Sequence, residues 1–341
     1  MKAAVIREYG DASVFRIEDV ADPVPKSGEV VVAVRAASVN RRDRGIRAGS
    51  LVPRAIGGQS EQQPTFPLIL GSDGAGVVAE LGDGVDSVAV GDEVVINPSL
   101  NWGESNESPG PDWETLGVPR QGTYAERIAV PAAFVAAKPE RLTWAEAASI
   151  PLAGLTAWRA VVTKGGVVAG ERVLVPGVGS GVATFVVQFA HAFGCEVVVT
   201  SSSDEKLARA RTIGAVDGLL YTAAGWPGRV GPVDVVIDSI GEPIWAALSE
   251  FLRPGGRLVS YGRTAGSVVP LEIAKFFHAQ WTILGTANGS PTEFGAMIDH
   301  IDAAGWRPVI DSEYALADIS QAHARLDAQD RFGKIAIAIA S

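Results

Sequence analysis

Along the first third of the chain, apolar and β-branched residues fall in short runs cut by Gly, Pro and Asp: residues 2–7, 14–20, 29–38, 76–81, 92–97 and 124–130. No helical period of 3.6 competes with them, so the pattern predicts a small β-rich, barrel-like domain. Between Asn97 and Gly122 the chain turns polar for longer than ordinary connections in compact domains, which predicts an exposed lobe.

From about residue 135 the texture changes. Thr143, with Glu146 three residues on, has the form of a helix N-cap. Apolar strands at 172–176, 196–200, 233–238, 257–262 and 282–286 then alternate with helices at 182–193 and 203–213, the second closed by Gly214. A further helix is expected to open at Pro243 and close near Gly255. Apolar strands separated by helices predict a doubly wound parallel sheet covered on both faces, hence an α/β fold. Amphipathic helices near 292–304 and 318–328 and a last strand at 334–339 complete the pattern, and the alternating Ile and Ala of that strand suit the β-rich domain. The expected division is 1–135, 136–286 and a return segment 287–341.

Composition narrows the function classes. Lys and Arg number 29 against 39 Asp and Glu, a net charge of −10, which opposes the broad electrostatic grip of nucleic-acid binding. The only cysteine, Cys195, excludes an intramolecular disulfide and a cysteine zinc site. No signal-peptide pattern and no apolar run near the roughly 18 residues of a membrane span are present, so a soluble cytoplasmic protein is expected.

The run Val173-Leu174-Val175-Pro176-Gly177-Val178-Gly179-Ser180-Gly181-Val182-Ala183 reads as strand, glycine turn and helix start. Glycines let backbone approach a pyrophosphate, which then meets the positive end of the helix. Val182 stands where the last Gly of G-x-G-x-x-G would be, so the fingerprint is a variant one, and its flanking strand and helix carry the dinucleotide reading. The second strand ends Val199-Thr200-Ser201-Ser202-Ser203, with no carboxylate to hold a ribose 2′-hydroxyl. Hydroxyls and Lys206 can instead meet a 2′-phosphate, so NADPH is the expected cofactor. Asp204 speaks for NADH, although its place in the first turn behind an N-cap Ser203 has an ordinary capping explanation.

Three segments carry a family resemblance: Ser38-Val39-Asn40-Arg41-Arg42-Asp43 with Arg47-Ala48-Gly49, residues 67–77 around Gly71-Ser72-Asp73-Gly74, and Gly122-Thr123-Tyr124-Ala125-Glu126. With residues 151–158 and the glycine turn, they make the whole chain resemble the medium-chain dehydrogenase/reductase superfamily, in particular its zinc-free quinone oxidoreductases. The resemblance implies a GroES-like barrel and a Rossmann sheet. Zinc-dependent alcohol dehydrogenases of that superfamily carry a ligand Cys near Asn40 to Arg42 and Gly-His-Glu where this chain has Gly71-Ser72-Asp73, so no metal is expected. The 97–120 lobe would be their structural-zinc lobe without its metal.

By motif position, Asn40 would bond near the nicotinamide ribose, Thr156 would face the nicotinamide, and Gly177, Gly179, Ser180, Gly181 and Val182 would hold the pyrophosphate. Ser201, Ser202, Lys206 and Tyr221 would take the 2′-phosphate, and Ser239, beside Asp238 at a strand end, would border the crevice. Asn40 and Tyr124 are the candidate donors to a substrate oxygen. A tyrosine that many members carry after Arg-x-Gly is replaced by Gly49-Ser50-Leu51-Val52-Pro53, against an enoyl-thioester reductase. The resemblance thus implies NADPH-driven reduction of a small quinone or conjugated carbonyl by a homodimer, with no nucleic acid or membrane partner. An NADP(H) alcohol dehydrogenase or ketone reductase, and a nucleotide-dependent binding or sensing protein, remain alternatives.

Other pairs have plain readings. His191 and Cys195 suit a buried structural pair, and His278, His300 and His323 have no partner at ligand spacing. Asp43 and Arg47, spaced i and i+4, suit either a local ion pair or a substrate role. Trp102 and Trp113 suit a cluster anchoring the lobe, and Asp238 either faces the crevice or caps the next turn.

Overall fold

In the computed structural model, which describes residues 1–50 and 65–339, the chain divides into two units, Met1–Leu155 with Gly289–Ser341, and Thr156–Asn288. The sequence placed these divisions at 135/136 and 286/287. The later first division has a local cause, because the helix Trp144–Ser149 packs against the barrel strands Glu29–Val39, Asp73–Leu81 and Lys334–Ala338. Among the described residues, no helix is long and apolar enough to cross a membrane.

The first unit is built on Glu29–Val39, which pairs antiparallel with Asp73–Leu81, Arg127–Pro131 and the final strand Lys334–Ala338. Val135–Ala137 and Glu93–Ile96 extend the sheet on one side, and Ile310–Ala315 extends it on the other, parallel to Lys334–Ala338. A second sheet orders Arg16–Asp19, Lys2–Ile6 and Leu68–Ile69. Buried Val30, Val32, Val34, Ile96, Ile128 and Ile337 fill the core of this unit. The expected strand at 14–20 starts later, because the Asp11 carboxylate accepts from the Ser13 N–H and folds Ala12–Val14 into a 3-10 turn before Arg16–Asp19 begins.

The second unit carries six parallel strands in the spatial order Ala215–Leu220, Glu196–Ser201, Arg172–Val175, Val233–Asp238, Leu252–Ser260 and Thr282–Gly285. Leu174, Val198, Val236, Leu258 and Phe251 form its core. Ala215–Leu220 was missed in the sequence because, as an edge strand, it is mostly half-exposed and lacks the continuous apolar run of the central strands. The helix expected from Pro243 to Gly255 is two short pieces, Glu242–Ala246 and Leu248–Phe251, and the chain is already extended from Leu252. The Pro254-Gly255 pair that suggested a helix stop sits inside that strand.

The polar lobe is held from within. Trp102 and Trp113 are buried edge to face at 5.2 Å; their indoles donate to Ser105 O and Ser99 Oγ. Ser99–Leu100 pairs with Glu114–Thr115 beneath them.

Candidate functional site

Three neighbouring strands of the first unit bring distant residues to one end of the sheet. Register sets Ser38 opposite Asp73 and Ile335 opposite Val39, which leaves Lys334 beside Asn40. Asp73, fully buried, accepts from Ser38 Oγ at 2.6 Å, Asn40 Nδ2 at 2.8 Å and Lys334 Nζ at 2.9 Å, all on Oδ2. Its Oδ1 accepts from the Leu152 N–H at 2.6 Å, in the first turn of the helix Pro151–Trp158. The carboxylate therefore has both a cation and a helix end to compensate its burial. Lys334, only 3% exposed, also donates to Asn40 Oδ1 at 2.6 Å, so both ends of that carboxamide are held. Gly71 shapes the approach: it has φ of +101°, and a Cβ there would lie 2.6 Å from Thr123 Oγ1.

Asp43 forms the second half of this network. It does not pair with Arg47; it accepts from the Asn40 N–H at 2.9 Å, from Tyr124 OH at 2.9 Å and from Ser72 Oγ at 3.3 Å. Burial pushes its carboxyl up to about 6, opposed by the charge of Arg42. Tyr124 was one of the candidate donors to a substrate oxygen. The structure places it fully buried with its hydroxyl committed to Asp43, and burial, then the charge of Asp43, pushes its pKa well above the ordinary phenol value. Asn40, at 8% exposure, keeps its second Nδ2 proton uncommitted among the described residues.

Sequence reasoning missed Lys334 and the role of Asp73. The signal was present as a single lysine opening the otherwise apolar strand Lys-Ile-Ala-Ile-Ala, since a buried lysine requires a partner. A zinc ion does not suit this donor set. The Lys334 ammonium already stands where a cation would balance Asp73, and Asn40 and Ser72 offer neutral oxygens in place of thiolate or imidazole. Among the described residues no group of three His, Cys, Asp or Glu is arranged to hold a metal.

In the second unit the glycine turn joins the strand Arg172–Val175 to the twelve-residue helix Gly181–Ala192. Ser180 is the N-cap, its Oγ accepting from the Ala183 N–H at 3.1 Å. Gly177 has φ of +66°, and a Cβ there would lie 2.7 Å from Ile240 Cδ1. Thr200 pins the turn from the next strand, accepting from the Gly177 N–H through Oγ1 at 3.1 Å and from the Val178 N–H through its carbonyl at 2.8 Å. Gly179, Ser180, Gly181 and Val182 thus sit at the start of a capped helix that suits the phosphates of a dinucleotide.

The tip of the second strand gathers the other predicted residues. Tyr221 donates its N–H to Ser201 O at 3.0 Å, which places it alongside that tip. Ser201 is buried and its Oγ accepts from the Ser203 N–H, whereas Ser202 is exposed. Lys206 lies in the first turn of the helix Asp204–Thr212, where its N–H meets the N-cap Ser203 at 3.4 Å. Thr156 is buried on Pro151–Trp158.

Asp238 caps the next turn, accepting from the Ile240 and Gly241 N–H groups at 2.7 and 3.0 Å. Tyr261, which sequence reasoning did not single out, buries its hydroxyl beside Ser239 and Ser180. Cys195 donates to Val168 O at 3.4 Å, and His191 is exposed, so the two do not pair. Of the Gly49–Pro53 replacement, residues 51–53 lie outside the described residues.

Asp238 yields a pH prediction. Burial pushes its carboxyl up to about 6, above the roughly 3.9 of an unfolded Asp. Its contribution to stability is therefore complete below about pH 4 and is lost as the pH rises through about 6. Asp238→Asn removes that loss, so the variant should gain on the parent by up to about 3 kcal/mol between pH 4 and 6 and no further above pH 7. Urea unfolding of both proteins from pH 4 to 8 checks this; a constant difference across the range contradicts it.

Comparison with known proteins agrees with both halves of this geometry. Residues 26–140 match the alcohol dehydrogenase GroES-like domain, and residues 181–303 match the zinc-binding dehydrogenase family. The chain is 35% identical to a zinc-type alcohol dehydrogenase-like protein, YogA, of Leptosphaeria maculans, over 87% of this chain and 85% of that one. It is 30% identical to the 2-methylene-furan-3-one reductase of Solanum lycopersicum, over 99% and 79%. The crystal structure of an NAD-dependent alcohol dehydrogenase superposes with a TM-score of 0.91 at 34% identity, covering 100% of both chains.

Proposed function

Because the chain belongs to the medium-chain dehydrogenase/reductase superfamily, we propose that this oxidoreductase uses NADPH, without zinc, to reduce quinones or α,β-unsaturated carbonyls. The observation that carries the reading is the Lys334–Asp73 pair at 2.9 Å, an internal cation in the part of the barrel where metal-dependent relatives place a Lewis acid. Supporting NADPH, the tip at Ser201 and Ser202 offers hydroxyls, with Tyr221 alongside and Lys206 one turn into the helix, and no carboxylate before Asp204. The likeness to a furanone reductase, which acts on a conjugated carbonyl, supports the substrate class.

A bound nicotinamide supplies the hydride. The glycine turn and Ser180 would hold its phosphates. Asn40, fixed at both ends by Lys334 and Asp73, presents one Nδ2 proton in a set orientation, so a hydrogen bond from it costs little further rotamer entropy. Tyr124 spends its proton on Asp43 and so does not supply the one that completes reduction.

Turnover of NADPH with a panel of quinones and enones, against NADH and after exhaustive EDTA treatment, tests the reading. NADPH-preferring turnover that survives chelation is expected. Loss of activity on chelation overturns the zinc-free part, and tight NADPH binding with no turnover favours a sensing role.

The proposed enzyme is a homodimer, joined through the sheet edge at Thr282–Gly285. The neighbouring helix Ile273–Ala279 has no buried residue and exposes Ile273 and Phe277 at 60% and 55%. An open strand edge favours pairing with another edge. Light scattering should give twice the chain mass.

A further inference from the structure

Within the first unit, away from the Asp73 network, a pocket of about 660 Å³ is lined by Asp11, Ser13, Arg44, Arg47, His323 and Asp327, with small residues between them. The ionisable groups on its walls come from three elements: the 3-10 turn Ala12–Val14 with its N-cap Asp11, the helix Arg41–Arg47, and the helix Ile319–Arg325 with Asp327 beyond it. Their pairing is uneven. Arg44 binds Asp327 at 2.9 Å, and Asp11 is occupied by the N–H and hydroxyl of Ser13 at 2.8 and 2.6 Å. Arg47 is left over. It is only 5% exposed, and its Nε and Nη1 are buried without a hydrogen-bond partner among the described residues. Behind it His323, fully buried, has both ring nitrogens without a partner among the described residues. That ring packs 4.7 Å from Phe15 and edge-on to Tyr124 at 5.8 Å.

Asp11 and Asp327 act on the Arg47 charge only through space, and its two buried N–H groups stay unsatisfied, which is costly and rare in native proteins. We infer that this pocket is an anion site in which Arg47 holds a small oxyanion, a carboxylate or a phosphate, with the His323 imidazole as its neutral neighbour. A planar guanidinium suits two-oxygen acceptors. Burial and the charges of Arg47 and Arg44 push the His323 pKa down to about 3, so the ring adds no second charge and can donate one N–H. Asp11 and Asp327 on the walls balance the charges of Arg44 and Arg47, so the pocket opposes a multiply charged ligand and takes phosphate in its singly charged form.

Thermal unfolding of the full chain in inorganic phosphate and in acetate, each against chloride at matched ionic strength, tests the inference. Both anions should raise the melting temperature of the parent protein. Arg47→Met should melt higher than the parent in chloride, because two buried unsatisfied donors are removed, and should lose the anion-dependent rise. Should that variant fail to fold, Arg47→Lys keeps the charge without the planar donors and should bind phosphate at least about tenfold more weakly by calorimetry. A parent protein indifferent to both anions, its pocket filled by water alone, overturns the inference. So does an unchanged rise in the Arg47 variants, which would place the anion at the glycine turn.

Discussion

Lys334→Met should destabilise the barrel unit by about 3–5 kcal/mol, the usual result of removing one partner from a buried ion pair. The Asp73 carboxylate, 0% exposed, would keep only Ser38 Oγ, Asn40 Nδ2 and the Leu152 N–H, and Asn40 Oδ1 would lose its donor. The charge, more than any packing defect, should dominate, because Met nearly matches the length of the lysine stem. Asp73→Asn combined with Lys334→Met should therefore recover a large part of the loss. Urea unfolding of the single and double variants measures both figures. A single variant within about 1 kcal/mol of the parent would mean that the pair is solvated, as exposed pairs are.

Ser202→Asp should shift the ratio of kcat/KM for NADPH over NADH about 100-fold toward NADH, roughly 2.7 kcal/mol. Ser202 is the exposed residue between the buried strand end Ser201 and the N-cap Ser203, so the substitution should leave the fold intact. An Asp there would repel a 2′-phosphate and accept from a 2′-hydroxyl. Steady-state kinetics with both cofactors checks it. An unchanged ratio would show that the phosphate is held elsewhere, and the proposal for NADPH would then lose its support from Lys206 and Tyr221.

The parts of the molecule that the sequence made legible are those with a local cause. Strand, glycine turn and helix follow one another within residues 172–192, and capping at Thr143 and Ser203 is written within four residues of each helix start. The edge strands Ala215–Leu220 and Ile310–Ala315 escaped notice because one or both faces are half-exposed and their composition does not set them apart. The breaks in the 242–251 helix escaped notice for a related reason: a Pro at its start announces a helix and says nothing of where neighbouring strands will end it.

The candidate site divides in the same way. The glycine turn, Ser180, Ser202 and Lys206 lie within one local stretch of strand, helix, strand and helix, so their nearness in the chain was legible. Asp43 looked like a helical partner of Arg47 at i+4, yet it turns back to the Asn40 N–H and to Tyr124, which is 81 residues away.

The sequence by itself determined the α/β alternation, the glycine turn and the absence of a carboxylate at the strand tip, because each depends on residues a few positions apart. Only the tertiary structure decided that Lys334 meets Asp73 across 261 positions, that Tyr124 keeps its proton and that two nitrogens of Arg47 are buried without a partner among the described residues. Those outcomes depend on strand register and burial, which fix charges against partners that no local pattern can name.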